Sequence, residues 1–159
     1  MQSHRYPFVV FILLSILVDS ITKNWFWKFR PDLYSKNVLD IVFFDLYQNK
    51  GLMMGVGSGL EATTFLYFGI IFVAVLLAGL FGLLIYRGFS HVIFALAWGL
   101  VVGGGLSNLL ERARQGAVTD FIVVDFGFIQ SGIFNIADLG NLVGIVFLII
   151  SVLFFSRWI

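Results

Sequence analysis

Four apolar stretches dominate the sequence, and each is free of Asp, Glu, Lys and Arg. They cover residues 6–18, 62–86, 88–110 and 139–156. Because a helix rises about 1.5 Å per residue, about 20 apolar residues cross the hydrocarbon core of a bilayer. The second and third stretches are long enough alone, and the other two become so with their flanking residues. We therefore predict four transmembrane helices, over about residues 6–27, 62–86, 89–111 and 136–157.

The first stretch follows basic residues and could belong to a cleaved signal peptide. The sequence between Asp19 and Lys23 contains no small-x-small cleavage site. We therefore interpret the stretch as a retained helix. Asp19 and Lys23 are then expected at the membrane interface, with Trp25 and Trp27 in the interfacial belt of aromatic side chains.

Two long polar segments, about residues 28–61 and 112–135, join the predicted helices at one face of the membrane. Each contains a run rich in β-branched and aromatic residues, at 38–47 and at 118–126. Such runs favour strands, so we predict a small sheet on the membrane surface. The alternative is a pair of interfacial loops with β propensity only. The predicted fold class is an all-α membrane protein, a single integral-membrane domain over residues 1–159 with a small surface β-sheet.

The composition supports a membrane protein and narrows the possible chemistry. Hydrophobic residues make up 60% of the 159 positions and charged residues 12%, with a net charge of +1. These values exclude an ordinary soluble domain, a disordered chain and a nucleic-acid-binding arm. The chain has no Cys and only 2 His, which excludes a thiol nucleophile and a three-His metal site. Any catalysis must therefore depend on Asp, Glu, Lys, Arg, Asn or Ser.

The charged residues are placed unevenly between the two faces. The face that carries both predicted chain ends has three basic residues and no acidic one, namely Arg5, Arg87 and Arg157. The remaining charged residues surround the two long segments. The positive-inside rule counts only Lys and Arg, so it leaves the orientation undecided. Long polar loops on one face are where a binding or catalytic site is built, and we expect the functional site there.

Asp120 and Asp138 are the candidate catalytic pair. Asp120 follows the third predicted helix, and Asp138 opens the fourth at the same face. Two carboxylates within a few ångströms cannot both ionise, so such a pair can activate a water while protonating a carbonyl oxygen or a leaving nitrogen. Spacing alone leaves structural roles open. Asp138 could be an acid in the first turn after an Asn135 cap, and Asp120 a solvated acid at a strand end.

Other polar residues lie near the same face. Asn108 and Arg112 are four residues apart and share one side of the third predicted helix. Arg112 could bind a lipid ester, a phosphate or a peptide carbonyl, or it could anchor the helix at the interface. Asp19 and Lys23 have the spacing of a helical ion pair with the acid first, which favours a structural role. The small-xxx-small pattern at residues 99–103 indicates close helix packing.

Taken in order, these polar segments resemble four sequence boxes of the lipoprotein signal peptidase family, also called signal peptidase II. The matching stretches are Asp19-Ser20-Ile21-Thr22-Lys23, Asn49-Lys50-Gly51, residues 108–112 with Gly116-x-Val118-x-Asp120-Phe121, and Phe134-Asn135-x-Ala137-Asp138. One box would be weak evidence, whereas four in order at the ends of predicted helices make the resemblance specific.

The resemblance implies an intramembrane aspartic endopeptidase of the bacterial plasma (inner) membrane that uses no metal or cofactor. Members of this family cleave prolipoproteins before a diacylglyceryl-modified cysteine. The family topology implies a multi-pass protein with both termini cytoplasmic and the active site near the outer face, which makes the predicted sheet extracytoplasmic. The expected partners are diacylglyceryl-modified prolipoproteins and membrane lipid, with no nucleic acid, and we expect a monomer.

By position, the resemblance makes Asp120 and Asp138 the catalytic pair. It assigns roles in supporting the pair and the substrate to Asn49, Gly51, Asn108, Arg112 and Asn135. Asp19 and Lys23 would shape the lipid-facing side of the site. Several glycines within residues 51–59 motivate the hypothesis that this loop moves over the site.

Three features depart from the family pattern. Glu111 stands where Asp is usual, Ser107 where Gly is usual, and residues 52–54 where small residues usually precede an aromatic one. The main alternative function is therefore a non-catalytic homologue that binds lipidated proteins or lipid. Weaker alternatives are a small transporter or channel component and a serine-lysine peptidase that would use Ser58 and Lys50.

Overall fold

The computed structural model describes residues 4–29, 41–50, 78 and 91–155. These residues form three helices and two strands, in the order α1 (Arg5–Phe29), β1 (Val42–Asn49), α2 (Val92–Gln115), β2 (Val118–Val124) and α3 (Ile136–Phe155). The predicted helix over residues 62–86, apart from residue 78, lies outside the described residues. The same holds for the loop of residues 51–59, which includes Gly51.

The helix that carries Arg112 is longer than predicted. Helix α2 continues to Gln115, past the predicted end at residue 111, and stops at Gly116. Gly116 has a φ of 73°, and its backbone N–H donates to the carbonyl of Arg112, as is typical of a helix terminated by a left-handed residue. Arg112 therefore belongs to the last turn of the helix, as its spacing from Asn108 predicted.

Helix α2 packs against both α1 and α3. A Cβ atom added at Gly99 would lie 2.7 Å from Phe11 Cβ, and one at Gly103 would lie 2.7 Å from Ser15 Cβ. These distances are too short for any side chain, so the glycines allow the two helix backbones to approach closely. The packing predicted from the small-xxx-small pattern is confirmed. The buried core of this interface comprises Phe8, Ile12, Ala95 and Val102.

The outer faces of the helices are apolar. Helices α1 and α2 are long and apolar enough to cross a bilayer, and the apolar part of α3, Ile136–Ser151, is shorter. Large apolar side chains are exposed along α1 and α3, among them Leu13, Leu17, Ile21, Leu142, Ile149 and Leu153. Extended apolar surface of this kind suits lipid better than water.

Strands β1 and β2 form an antiparallel sheet, which confirms the predicted sheet against the loop alternative. The register runs from Val42 opposite Val124 to Asn49 opposite Val118. It shifts between Phe44 and Tyr47, where β1 contains one residue more than β2. Such a bulge changes which residues lie opposite each other beyond it. As a result Asn49 reaches the beginning of β2.

The sheet is held on the end of α1 by aromatic packing. The Phe26 ring stacks on the Phe121 ring with 4.0 Å between centroids, and its centroid lies 5.0 Å from that of Phe44. Phe26 and Phe121 are buried. This contact fixes β2, and with it Asp120, next to the polar residues at the end of α1.

Candidate active site

Asp120 is a buried acid in β2, with 2% of its surface exposed. Its Oδ2 accepts a hydrogen bond from Asn49 Nδ2 at 2.9 Å, and its Oδ1 accepts one from Asn135 Nδ2 at 2.6 Å. The alternative of a solvated acid at a strand end is therefore wrong, because the apolar packing of β2 removes the side chain from solvent. Two amide donors replace the water that a carboxylate would otherwise bind.

Asp138 lies in the first turn of α3 and exchanges hydrogen bonds with Asn135. The Asp138 backbone N–H donates to Asn135 Oδ1 at 2.9 Å, and the Asn135 N–H donates to Asp138 Oδ2 at 3.3 Å. This reciprocal pattern is a capping box with Asn and Asp in place of the more frequent Ser and Glu. The predicted cap is confirmed. The other carboxylate oxygen, Asp138 Oδ1, takes no part in the cap and accepts a hydrogen bond from Asn108 Nδ2 at 2.9 Å.

Asn135 links the two aspartates. Its side chain is fully buried, and the same Nδ2 that donates to Asp120 also lies 3.2 Å from Asn108 Oδ1. An amide group has two N–H donors and one carbonyl acceptor. Asn135 therefore uses its donors toward Asp120 and Asn108 and its acceptor toward the backbone of Asp138.

Lys23 is a cation of this cluster and is almost fully buried. Its Nζ lies 2.6 Å from Asp19 Oδ2, 2.8 Å from Glu111 Oε2 and 2.8 Å from Asn108 Oδ1. The predicted Asp19–Lys23 ion pair is confirmed, although both residues are packed inside the protein rather than at its surface. Because Lys23 takes the Asn108 oxygen, the Asn108 nitrogen is directed at Asp138.

Asp19 joins the three helices. Its Oδ2 accepts from Ser107 Oγ at 2.7 Å, and its Oδ1 accepts from the backbone N–H of Ala137 at 3.0 Å. Ser107, noted in the sequence only as a departure from the family pattern, therefore has a defined partner. Asp19 connects α1 with α2 and with the first turn of α3, where Asp138 lies.

Thr119 is a buried polar residue that no sequence motif singled out. Its hydroxyl donates to Glu111 Oε1 at 2.6 Å and accepts from Trp27 Nε1 at 3.0 Å. The sequence did contain one indication of its role, because Thr119 lies next to Asp120 in a strand whose other residues are apolar. A hydroxyl in such a strand requires a polar partner when it is buried.

The environment of Asp120 favours its protonated form. Burial raises the pKa of Asp120 to about 6, and the nearby Asp138 carboxylate acts in the same direction. The hydrogen bonds from Asn49 and Asn135 and the charge of Lys23 lower the pKa, but their combined effect is smaller. The Asp120 carboxyl can therefore hold or release a proton near neutral pH.

The structure brings together most of the predicted site residues. They are Asp19, Lys23, Asn49, Asn108, Asp120, Asn135 and Asp138. Arg112 belongs to the same cluster, because its guanidinium interacts electrostatically with Asp120, Asp138 and Glu111. Gly51 and Ser58 lie outside the described residues, and Lys50 is exposed. In the part of the chain that is described, no three His, Asp or Glu side chains are arranged as a metal site.

An arrangement of two acids joined by amides can perform acid–base chemistry on a substrate carbonyl. Asp120 can be protonated near neutral pH, and Asp138 interacts with it through space and through Asn135. The amides of Asn49, Asn108 and Asn135 hold the carboxylates without neutralising them.

Known sequences of one protein family resemble this chain over most of its length. A profile of the signal peptidase (SPase) II family matches residues 11–154. The lipoprotein signal peptidase of Clostridioides difficile (strain 630) is 33% identical over 151 residues, which cover 94% of this chain and 96% of that protein. The lipoprotein signal peptidase of Helicobacter acinonychis (strain Sheeba) is 34% identical over 157 residues, covering 98% and 92%.

A solved structure has the same fold. It is described as a bacterial membrane enzyme determined by the in meso method at 1.9 Å resolution, and it superposes with a TM-score of 0.71 and 24% identity over 92% of both chains. The fold is therefore that of a bacterial membrane protein, mostly helical with a small antiparallel sheet. The match to the family profile over most of the sequence, together with these relatives, shows that the chain belongs to the signal peptidase II family.

Proposed function

We propose that this protein removes signal peptides from prolipoproteins as an aspartic endopeptidase, with Asp120 and Asp138 as its catalytic residues. The observation that carries the proposal is the link between the two acids, since Asn135 bonds to both of them within a buried cluster. The lipoprotein signal peptidases that the chain resembles support the substrate class. We further propose that cleavage occurs before a diacylglyceryl-modified cysteine.

The reaction is amide hydrolysis and consumes one water. The reactive form has Asp138 as the carboxylate and Asp120, whose pKa is raised to about 6, in the protonated state. The water oxygen attacks the scissile carbonyl carbon while Asp138 takes a proton from the water and Asp120 gives its proton to the carbonyl oxygen. Asp138 then protonates the leaving nitrogen as the C–N bond breaks. Asp120 recovers a proton from a hydroxyl of the intermediate, which restores the starting state.

The other site residues support this reaction. Asn49, Asn108 and Asn135 hold the carboxylates in place, and Arg112 binds a carbonyl of the substrate or a lipid ester. Gly51, two residues after Asn49, belongs to the same predicted group. No cofactor is required by this chemistry.

The membrane arrangement is part of the proposal. The single domain of residues 1–159 crosses the bacterial plasma membrane with four helices, both termini are cytoplasmic, and the sheet and the site lie near the outer face. The apolar outer surfaces of α1 and α3 support contact with lipid. The protein acts as a monomer on its lipidated substrate.

The test is cleavage of a synthetic diacylglyceryl-cysteine signal peptide by purified protein in lipid nanodiscs. The wild-type protein is expected to cleave it, and Asp120→Asn and Asp138→Asn are each expected to reduce the rate to background. Asp125→Asn is the matched control, because the Asp125 side chain accepts from the Gly127 backbone N–H at an exposed turn, and this change should leave the rate unchanged. Cleavage by either Asp120→Asn or Asp138→Asn would refute the assignment of these two acids as the catalytic pair. A wild-type protein that binds the peptide without cleaving it would favour the non-catalytic alternative.

A further inference from the structure

We propose that Glu111 is the positioning residue of the aspartate pair. It reaches Asp120 through Thr119, the neighbouring residue in β2. It reaches Asp138 through the Lys23 ammonium. This inference rests on the proposed function, since the two acids that Glu111 positions are those assigned to catalysis.

The first step is the bond between Glu111 and β2. Glu111 Oε1 accepts from the Thr119 hydroxyl at 2.6 Å, and the same hydroxyl accepts from Trp27 Nε1 at 3.0 Å. A hydroxyl has one donor, so Thr119 uses it on Glu111. Thr119 is fully buried and precedes Asp120 directly, and the two residues have separate hydrogen-bond partners. The bond therefore sets where this segment of β2 lies relative to α2.

The second step runs through Lys23. Glu111 Oε2 lies 2.8 Å from Lys23 Nζ, and the same ammonium lies 2.8 Å from Asn108 Oδ1. Asn108 in turn donates to Asp138 at 2.9 Å. Glu111 thus helps to hold the cation that orients the Asn108 amide. One oxygen of the Glu111 carboxylate therefore helps to position Asp120, and the other helps to position Asp138.

The geometry depends on the length of the Glu111 side chain. Its two oxygens contact residues from two other elements, Lys23 in α1 and Thr119 in β2, and the side chain is only 12% exposed. Shortening it to Asp withdraws the carboxylate by about 1.5 Å, the length of one C–C bond. The shortened group can remain near one partner but cannot keep both distances. Displacement of a reacting group by about 1 Å can cost about a hundredfold in rate.

The test combines steady-state kinetics with a measurement that needs no substrate. Glu111→Asp and Thr119→Val are expected to lower kcat by about ten- to a hundredfold, with KM changed less than about threefold. Thr119→Ser keeps the hydroxyl and is expected to retain most of kcat. The double variant should lose less than the product of the two single losses, because both changes act on the Glu111–Thr119 bond. Without substrate, the pH midpoint of the Asp120-dependent change in melting temperature should fall in Thr119→Val but not in Thr119→Ser.

The outcomes separate this inference from the proposed function. Two results would overturn the positioning role alone, provided that the wild-type protein cleaves the peptide. One is a kcat within about twofold of wild type in both Glu111→Asp and Thr119→Val. The other is a loss of kcat in the double variant that equals the product of the two single losses. Absence of cleavage by the wild-type protein would overturn the proposed function, and the pH midpoint in Thr119→Val would then still test whether the Glu111–Thr119 bond positions Asp120. An unchanged midpoint in Thr119→Val would count against it.

Discussion

The Asn135 side-chain nitrogen lies 2.6 Å from Asp120 Oδ1, so the residue that caps α3 also donates to the buried acid of β2. The same residue exchanges two hydrogen bonds with Asp138. Helix initiation and the arrangement of the two acids are therefore served by one side chain. This predicts that the two roles can be separated by substitution.

Asn135→Ser is expected to preserve the fold and impair the reaction. Serine caps a helix about as well as asparagine, but its hydroxyl is too short to replace the amide that reaches Asp120. We expect unfolding free energy within about 1 kcal/mol of wild type and a cleavage rate lowered at least about tenfold. Asn135→Ala removes both the cap and the bond to Asp120, so it should lower both the stability and the cleavage rate. Thermal melts and peptide cleavage measure the two effects, and a fast Asn135→Ser enzyme would show that the amide does not hold Asp120.

Local spacing predicted the contacts that form within one turn of a helix. The Asp19–Lys23 pair and the Asn135–Asp138 cap are both present, because residues three or four apart in a helix are neighbours whatever the tertiary fold. The spacing did not show that Asp19 and Lys23 are buried. Their burial depends on packing against α2, which local spacing does not determine.

Long-range partners could not be predicted for a physical reason. The Glu111–Thr119 bond depends on how β2 returns beside α2 after Gly116, and a one-residue difference in that turn would break it. The contact of Asn49 with Asp120 depends on the bulge in β1. Strict alternation along the strand does not indicate an extra residue, so the register was not available from the sequence.

The protein should become less stable as the pH rises from about 4 to about 7. Burial raises the pKa of Asp120 to about 6, so the folded state binds this proton more tightly than the unfolded chain does. The resulting stability is complete below the ordinary pKa of an aspartate and is lost as the pH passes about 6. At about 1.4 kcal/mol per pKa unit, the loss amounts to about 3 kcal/mol. Melting curves of wild type and Asp120→Asn should diverge with rising pH in favour of the variant, and parallel curves would contradict the prediction.

Arg112→Ala is expected to affect substrate use more than stability. The guanidinium interacts with Asp120 and Asp138 at the end of α2, and we propose that it binds a substrate carbonyl or a lipid ester. We expect KM for the diacylglyceryl peptide to rise by about tenfold or more, with a change in unfolding free energy of about 1 kcal/mol. Titration of the lipidated peptide and thermal melts provide the comparison. If the loss of activity, expressed as a free energy, equalled the loss of unfolding free energy, Arg112 would be an interfacial anchor instead.

Gly104→Ala is expected to impair the protein although only one methyl group is added. A Cβ at Gly104 would meet Asn141 Oδ1 and lie 2.6 Å from the Ala137 carbonyl oxygen. The first turn of α3 must move to admit it, at a cost of about 1–3 kcal/mol, and Asp138 moves with that turn. Gly140→Ala is the matched control, since among the described residues no neighbouring atom lies within 4 Å of a Cβ there and alanine favours helix by about 1 kcal/mol. Melting temperature and cleavage rate should both fall only for Gly104→Ala, and equal behaviour of the two variants would show that close packing of α2 on α3 does not position Asp138.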